Sequence, residues 1–249
     1  MHARFHAPDA QAPGDVVSLP SEEAEHLTRV LRLTAGDPLR VFNGRGGEFD
    51  AVVEHADKTG VRVRLGAAQP AAPEARVAIT LAQAALKGDK MDDVVRDAVM
   101  LGVAAIQPVI SERAEVTRTA LARGHRRERW DRIAISSAKQ CGRATVPRVL
   151  EAIEFADLID ALSTLTLPQP ALMFVEPSAG EDATTLSELD LSPQREATVI
   201  IGPEGGWTKG EIDRAAAVSR LVALGGRTLR ADAMPIIALS ALFTIWGEF

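Results

Sequence analysis

The stretch VIIGPEGGW (199–207) decides the fold of most of this chain. It is an apolar strand that ends at a Gly-Pro step, passes a Gly-Gly pair and continues through Thr208 into the helical pattern KGEIDRAAAVS (209–219). Consecutive glycines let the backbone approach a ligand closely, at the strand end where α/β sheets bind their ligands. The same residues predict a helix cap, in which Thr208 is the N-cap and Glu211 completes a capping box. A ligand-binding turn and a helix cap are compatible interpretations.

The glycine spacing excludes two nucleotide-binding motifs. GPEGGWTKG (202–210) has neither the Lys-Ser/Thr pair of a P-loop nor the GxGxxG spacing that seats a pyrophosphate on a helix. A cofactor without phosphate groups is therefore favoured. A second stretch, LVALGGRTLRADAMPIIALSAL (221–242), repeats the order of strand, glycine turn and apolar helix, with Arg227 and Arg230 in between. Two such turns can enclose one ligand.

Around these turns, apolar strands alternate with helices. The segments are RVAITLAQAAL (76–86), GDKMDDVVRDAVMLG (88–102), AAIQPVI (104–110), a helix from about 126 to 141, and ALMFVEP (171–177). This alternation predicts a parallel sheet covered by helices.

The start of the chain has a different pattern. Short strands are predicted in VVSLP (16–20), LRVFNGRGGEFDAVVEHA (39–56) and GVRVRLG (60–66), with a hairpin at Asn43-Gly44 and Gly46-Gly47. One helix is predicted in SEEAEHLTRVLRL (21–33), with Ser21 as its N-cap. The Pro- and Ala-rich AAQPAAPEA (67–75) is the best linker candidate. We therefore predict a small β-rich domain over 1–70 and an α/β domain over 71–249.

Composition narrows the class of protein further. In 249 residues, 46% are hydrophobic and 25% charged, which is typical of a folded globular protein. Cys141 is the only cysteine, so no intrachain disulfide can form, and the start lacks the apolar run of a signal peptide. The net charge of −6 argues against non-specific coating of nucleic acid, so any RNA contact must be local. We expect a cytoplasmic location with no membrane span.

Motifs along the chain carry a family resemblance. They are KGDKM (87–91), LGV (101–103), SER (111–113), KQCGR (139–143) with VP (146–147), IGPEGG (201–206) and LGGRTLR (224–230). Together they resemble the small-subunit ribosomal RNA uracil-N3 methyltransferases of the SPOUT superfamily. RVLRL (29–33) and VFNGRGGEFDAVV (41–53) resemble that family's RNA-binding domain. The pair of IGPEGG and LGGRTLR is specific, whereas each other piece alone is weak.

The resemblance implies the fold and the assembly. Residues 1–70 are expected to form a PUA-like β-barrel domain, and 71–249 a SPOUT α/β domain with a deep trefoil knot. Knots are almost absent from proteins, so this one rests on the resemblance alone. The family also implies S-adenosylmethionine as cofactor, a homodimer and no metal.

The family holds its cofactor largely by main-chain atoms of three loops. These loops map here to Phe174, Val175 and Glu176; to Ile201, Gly202, Pro203, Glu204, Gly205 and Gly206; and to Leu224, Gly225, Arg227, Leu229 and Arg230. Leu229 is expected to contact the adenine. Where the family usually has two threonines after the third loop, this chain has Ala231 and Ala233. Asp232 is expected to cap the following helix instead, with Pro235 in its first turn.

Methylation of uridine N3 requires loss of its proton, hence a general base or an electrostatic substitute. Glu204 and Asp232 are the candidate bases, and Arg230 is the candidate that stabilises the developing oxyanion of the uracil. Glu204 is equally well explained as a partner of the helix dipole, and Asp232 better as a cap. No cysteine nucleophile is required, and the five histidines show no metal-ligand spacing.

Several polar residues are candidates for RNA contact. They are Arg4, Arg29, Arg32, Lys87, Arg113, Lys139, Gln140 and Arg143. The expected function is methylation of N3 of one uridine in 16S ribosomal RNA within the small ribosomal subunit. The alternatives are a SPOUT methyltransferase for another ribosomal or transfer RNA position, and a non-catalytic RNA-binding protein of the same fold.

Overall fold

A computed structural model describes residues 3–57, 59–164, 170–178, 183–188 and 195–249. The chain divides into two compact units, Met1–Glu74 with Ile135–Val146, and Ala75–Ala134 with Pro147–Phe249. The predicted domain boundary between residues 70 and 71 stays a prediction. That prediction did not include the segment Ile135–Val146, which groups with the first unit.

The first unit contains a five-stranded sheet. Its strands are β1 (Arg4–His6), β2 (Val16–Ser18), β3 (Pro38–Phe42), β4 (Glu48–Asp57) and β5 (Gly60–Gln69). They lie in the order β1-β3-β4-β5-β2, parallel only between β1 and β3. Alternate residues such as Phe5, Val41 and Val63 are buried in one core, as the two-residue period of a strand predicts.

The predicted hairpin joins β3 to β4. The Asn43 backbone N–H donates to the Gly47 carbonyl at 2.9 Å, and the Asn43 side-chain oxygen accepts from the N–H groups of Arg45 and Gly47. Gly44 and Gly46 have φ values of 76° and 97°, which favour glycine. The hairpin prediction is confirmed.

The helix predicted to follow an N-cap at Ser21 begins one residue earlier than expected. Ser21 is the first residue of α1 (Ser21–Glu25), and Pro20 is the N-cap without a side-chain hydrogen bond. The chain continues into a π-helical turn, His26–Val30. The prediction for Ser21 is wrong because the extended backbone of Pro20 already provides the entry into the helix.

The predicted linker begins inside a strand. β5 continues to Gln69, which lies opposite Glu48 on β4, and the Gln69 amide donates to Asp50 at 2.6 Å. Backbone pairing therefore overrides the low apolar content of the first three linker residues.

The second unit alternates strands and helices. Its elements are β6 (Ala78–Ala84), α2 (Lys90–Leu101), β7 (Ala105–Ile110), α3 (Arg118–Arg123), α4 (Arg126–Cys141), β8 (Arg148–Val149), β9 (Ile153–Glu154), α5 (Phe155–Ser163), β10 (Ala171–Phe174), β11 (Thr184–Thr185), β12 (Glu196–Ile201), α6 (Lys209–Ala216), β13 (Arg220–Ala223) and α7 (Met234–Ile245). The last turns of α4 belong to the segment grouped with the first unit. The predicted bounds of α4 are confirmed.

All strands of the second sheet are parallel. Their order is β11-β13-β10-β12-β6-β7-β8, with β9 also paired to β7. Central strands such as β10 are buried along their whole length, because helices cover both faces of a parallel sheet. This confirms the mixed α/β class, while the trefoil knot stays a prediction. Among the described residues, no helix is long and apolar enough to cross a membrane.

Candidate active site

A cavity of about 350 Å³ lies at the carboxyl ends of three neighbouring strands. The strands are β13, β10 and β12, whose adjacency brings the loops that follow them together. Most of the predicted cofactor residues line this cavity: Phe174, Val175, Glu176, Ile201, Gly202, Pro203, Glu204, Gly206, Leu224, Arg227, Leu229 and Arg230. Gly205 and Gly225 belong to the same loops but not to the lining. The sequence-predicted loops therefore meet, and their role in cofactor binding stays a prediction.

The glycines of the β12–α6 turn are required by close neighbours. A side chain on Gly202 would come within 3.0 Å of the Trp207 ring. Gly206 has a φ of 67°, and a Cβ there would lie 3.0 Å from the Glu176 carboxylate. The turn thus leaves its backbone facing the cavity, as the glycine pattern predicts.

Trp207 fixes the turn to the neighbouring strand, a role that the sequence did not indicate. Its indole N–H donates to the Phe174 carbonyl at 3.0 Å, and its ring contacts the Phe155 ring with centroids 5.0 Å apart. Trp207 thereby links the turn after β12 to the loop after β10.

Helix α6 begins with the predicted capping box. The Thr208 hydroxyl accepts from the Glu211 N–H, and the Glu211 carboxylate accepts from the Thr208 N–H at 2.9 Å. The second oxygen of the buried Glu211 carboxylate accepts from the Glu112 N–H at 2.9 Å. Spacing alone predicts the cap but not this additional link to the loop after β7.

Arg113, a predicted RNA contact, also supports the turn. Its guanidinium donates to the carbonyls of Gly205 and Trp207, both at 3.2 Å. A Cβ on Gly205 would lie 3.0 Å from the Cβ of Arg113, so the absence of a side chain at Gly205 leaves room for the arginine. Arg113 therefore contacts the β12–α6 turn.

The first of two ion pairs in the cavity joins Lys90 to Glu204. The Lys90 ammonium donates to Glu204 Oε1 at 2.9 Å, and the Lys87 backbone N–H donates to the same oxygen at 3.3 Å. Burial raises the pKa of Glu204, but the hydrogen bonds from Lys90 and from backbone N–H groups outweigh it, so the pKa is lowered. Lys90 was not predicted as a site residue, although it lies in the KGDKM motif.

The second ion pair joins Arg230 to Asp232. The guanidinium donates from Nε at 3.0 Å and from Nη2 at 2.8 Å to the two carboxylate oxygens. These hydrogen bonds lower the pKa of Asp232, and the carboxylate raises the pKa of Arg230 in turn.

Because Arg230 occupies its carboxylate, Asp232 does not cap α7. Ala233 is the N-cap and makes no side-chain hydrogen bond. The Arg230 carbonyl instead accepts from the N–H groups of Ala233 and Met234, at 3.0 and 2.9 Å. The prediction that Asp232 caps the helix is therefore wrong, whereas Pro235 does lie in the first turn.

The ion pairs weaken both candidate bases. A carboxylate whose pKa is lowered by a paired cation has less affinity for a proton, so Glu204 and Asp232 are poorer general bases than free carboxylates. The same cavity presents the cations Lys90, Arg227 and Arg230. The arrangement is suited to stabilising negative charge that develops on a bound group.

Three predicted RNA contacts in the first unit have internal partners. Arg4 binds both oxygens of Glu48 and donates to four carbonyls between residues 138 and 143. Lys139 pairs with Glu23 at 2.7 Å and lies 4.5 Å from the centre of the Phe5 ring. Arg143 is buried and pairs with Glu74. These charges hold the first unit together, because their donors are already used within the fold.

The remaining candidates are exposed. Arg29 pairs only loosely with Glu25, four residues earlier, and its side chain is 76% exposed. Arg32 and Gln140 are exposed as well. Lys87 forms an exposed pair with Glu115 at 2.7 Å, which raises its pKa. Their exposure leaves these side chains accessible to a partner.

No group of three metal-ligating side chains occurs in the part of the chain that the structure describes. Cys141 is half-buried, and its thiol lies 3.8 Å from the Ala138 carbonyl.

Comparison with known proteins identifies the class. The family model described as an RNA methyltransferase domain matches residues 73–243, and that of an RNA methyltransferase PUA domain matches 19–66. These two matches, together with the parallel sheet and the cavity at its strand ends, make this chain an RNA methyltransferase with a PUA domain.

Individual relatives narrow the class to one family. The ribosomal RNA small subunit methyltransferase E of Rickettsia conorii is 32% identical over 92% of this chain and 90% of its own length. That of Synechocystis is 31% identical over 91% of this chain and 72% of its own. The Neisseria gonorrhoeae protein of the same name, solved bound to S-adenosylmethionine, is 33% identical with a TM-score of 0.88, and both chains are covered completely. A Legionella pneumophila structure with bound S-adenosylmethionine is 30% identical with a TM-score of 0.87 over 98% of both chains. The chain belongs to the ribosomal RNA small subunit methyltransferase E family.

Proposed function

We propose that this protein transfers a methyl group from S-adenosylmethionine to N3 of one uridine in the 16S ribosomal RNA of the small subunit. The observation that carries the proposal is the cavity in which three loops meet, two of them with glycine turns, and in which cations lie on the walls. The supporting relatives are small-subunit ribosomal RNA methyltransferases, two of which align over most of their length.

The cavity suits S-adenosylmethionine in size and chemistry. Its volume of about 350 Å³ lies in the range of small-molecule sites. The exposed backbone around Gly202 and Gly206 offers N–H and carbonyl groups, and no phosphate-binding motif is needed for this cofactor. Phe174, Val175 and Leu229 provide the apolar surface for an adenine. When bound, the cofactor supplies an electrophilic methyl group on a sulfonium.

The residues of the cavity act on the uracil. N3 must lose its proton before its lone pair can attack the methyl carbon, and the resulting negative charge spreads onto the neighbouring oxygens. Arg230 stabilises that charge, because it lines the cavity and its guanidinium is held by Asp232. Of the two possibilities left open by the sequence, the ion pairs favour electrostatic stabilisation over a carboxylate base.

The RNA is engaged through local positive charge. With a net charge of −6, the chain is suited to a shaped surface such as an assembled subunit rather than to bare RNA. Arg29 and Arg32 are exposed contacts of this kind in the first unit. The target base must leave its stack, because a methyl donor cannot reach N3 within a base pair.

The active form is a cytoplasmic homodimer. Helix α7 is apolar apart from Ser240 and Thr244, with Leu239 and Leu242 buried on one side. Ile236, Ile237 and Ile245 remain 37%, 40% and 46% exposed. An apolar face of this kind is typical of an interface, here with a second copy of the chain. Sedimentation equilibrium tests it: a monomer at micromolar concentration contradicts the dimer.

Methylation of purified ribosomal subunits tests the reaction. Small subunits from a strain that lacks this enzyme are incubated with the protein and isotopically labelled S-adenosylmethionine, and the nucleosides are identified by mass spectrometry. We expect labelled N3-methyluridine at one position. Label on another nucleoside, or on transfer RNA only, indicates a different methyltransferase. A protein that binds the RNA but transfers no label is a non-catalytic member of the fold.

A further inference from the structure

Lys90 occupies a special position in the second unit. It is the first residue of α2, so its side chain begins where the helix dipole is positive. Lys90 lines the cavity, its ammonium group lies 2.9 Å from Glu204 Oε1, and its side chain is 39% exposed. A charge in such a place is held by the fold and is still accessible to a ligand.

The charged groups around Lys90 come from every loop of the cavity. Glu176 follows β10, Glu204 lies in the β12–α6 turn, and the loop before α7 contributes Arg227, Arg230 and Asp232. Lys90 is near enough to Asp232 to lower the pKa of that carboxyl group. The two ion pairs of the cavity therefore lie within electrostatic range of each other.

Uracil presents two oxygens to such a site. When N3 loses its proton, the negative charge is shared between N3 and the two flanking carbonyl oxygens, O2 and O4. One cation can neutralise the charge on only one of these oxygens. Lys90, at the start of α2, and Arg230, in the loop before α7, line one cavity, which matches an anion with two acceptor oxygens.

We propose that Lys90 is a second catalytic cation, which binds one carbonyl oxygen of the uracil while Arg230 binds the other. This role rests on the proposed function, since it assumes that uridine N3 is the acceptor. Glu204 is then a positioning residue, which holds the ammonium in the cavity until the base arrives.

The methyl transfer requires no general base from the protein. The N3–H bond breaks and the proton leaves to water, while the negative charge on the uracil is stabilised by the two cations. The N3 lone pair then forms a bond to the methyl carbon, and the electrons of the sulfur–methyl bond return to sulfur. The products are N3-methyluridine and S-adenosylhomocysteine.

Two variants of Lys90 test this role. Lys90→Met keeps the apolar stem and removes the charge, and Lys90→Arg keeps the charge. We expect Lys90→Met to reduce the single-turnover rate at saturating cofactor by about 10²-fold, a loss typical of one stabilising donor. Its rate should also need higher pH, with the rising limb displaced by about one unit or more, because N3 loses its proton less readily without the cation. Lys90→Arg should recover most of the rate.

Calorimetric titration with S-adenosylmethionine separates catalysis from folding or cofactor binding. The dissociation constant of Lys90→Met should stay within about threefold of the wild type. The control is Lys209→Met, because Lys209 is 90% exposed and pairs with Asp213 on its own helix. It should change neither rate nor affinity.

The results of these experiments distinguish a catalytic role of Lys90 from a role in cofactor binding. A weakened cofactor affinity with an unchanged saturated rate means that Lys90 binds the cofactor, which overturns the inference. An unchanged pH profile, or no recovery in Lys90→Arg, also overturns it. If the wild-type enzyme methylates an RNA atom other than uridine N3, the proposed function fails and this inference fails with it. Normal N3 methylation by Lys90→Met overturns the inference alone.

Discussion

Two groups of positive side chains in this protein have opposite surroundings. In the first unit, Arg4 is 14% exposed and binds Glu48, which is 4% exposed, together with backbone carbonyls. In the cavity of the second unit, Lys90 is 39% exposed and Arg230 is 75% exposed, and each pairs with one carboxylate at the wall. The donors of Arg4 are taken up by these partners, whereas the cavity cations can exchange theirs. Burial and partners, not charge alone, separate a structural cation from a functional one.

The largest effect is expected from removing a cation of the first unit. Arg4→Met leaves Glu48 buried with only the more distant Arg40 at 3.7 Å. Since breaking a buried pair leaves an uncompensated charge, the free energy of unfolding should fall by about 3 kcal/mol. Urea denaturation of the full chain measures this change.

Arg29→Met is the matched control for Arg4→Met. Its pair with Glu25 is exposed, so the loss should be below about 0.5 kcal/mol. Equal losses in the two variants contradict the distinction between structural and exposed cations in the first unit.

A smaller effect is expected at the backbone of the cavity. Gly206→Ala forces a side chain onto a φ of 67° and toward Glu176, at a cost of about 1–2 kcal/mol. The free variant relieves this strain by shifting the turn, and restoring the binding geometry should lower the affinity for S-adenosylmethionine about tenfold, since 1.4 kcal/mol corresponds to that factor. Calorimetry measures it. In the control Gly210→Ala, the nearest atom is 4.0 Å away, and the affinity should not change. If both variants bind normally, the turn does not hold the cofactor.

The smallest effect concerns an exposed carboxylate of the first unit. Hydrogen bonds from the Thr59 side chain and backbone lower the pKa of Asp57 from 3.8 to about 2. Because the pKa is lowered in the fold, Asp57 stabilises the protein above pH 3.8, and that contribution disappears as the pH falls through about 2. An NMR titration of the carboxyl resonance should give about 2, and a higher value in Thr59→Ala. Methylation at neutral pH should be unaffected, because Asp57 remains ionised there.

Local patterns predict much of the fold. The hairpin at Asn43-Gly44, the bounds of α4 and the capping box of Thr208 and Glu211 follow from turn chemistry and helical spacing. The alternation of strands and helices predicts the parallel sheet, because each crossover needs a helix. The glycine pattern predicts that the loops lining the cavity meet at the carboxyl ends of the strands, where the structure has them.

What the sequence did not predict depends on distant partners. Arg4 is structural because Glu48 and the carbonyls of 138–143 meet it, more than 40 and 130 positions away in the chain. Lys87 and Lys90 look equivalent in KGDKM, and only the start of α2 at Lys90 places that ammonium in the cavity. The Asp232 cap failed for a local reason, since Arg230, two positions earlier, takes up its carboxylate.

The distinction between structural cations and cavity cations is tested most directly by the Arg230→Ala variant. Its single-turnover rate is measured on small ribosomal subunits with saturating S-adenosylmethionine. If Arg230 acts on the uracil, the rate falls about 10²-fold while the calorimetric affinity for the cofactor stays within about threefold. A normal rate contradicts the role of the cavity cations, and an equal loss of rate and affinity makes Arg230 a residue of the cofactor loop.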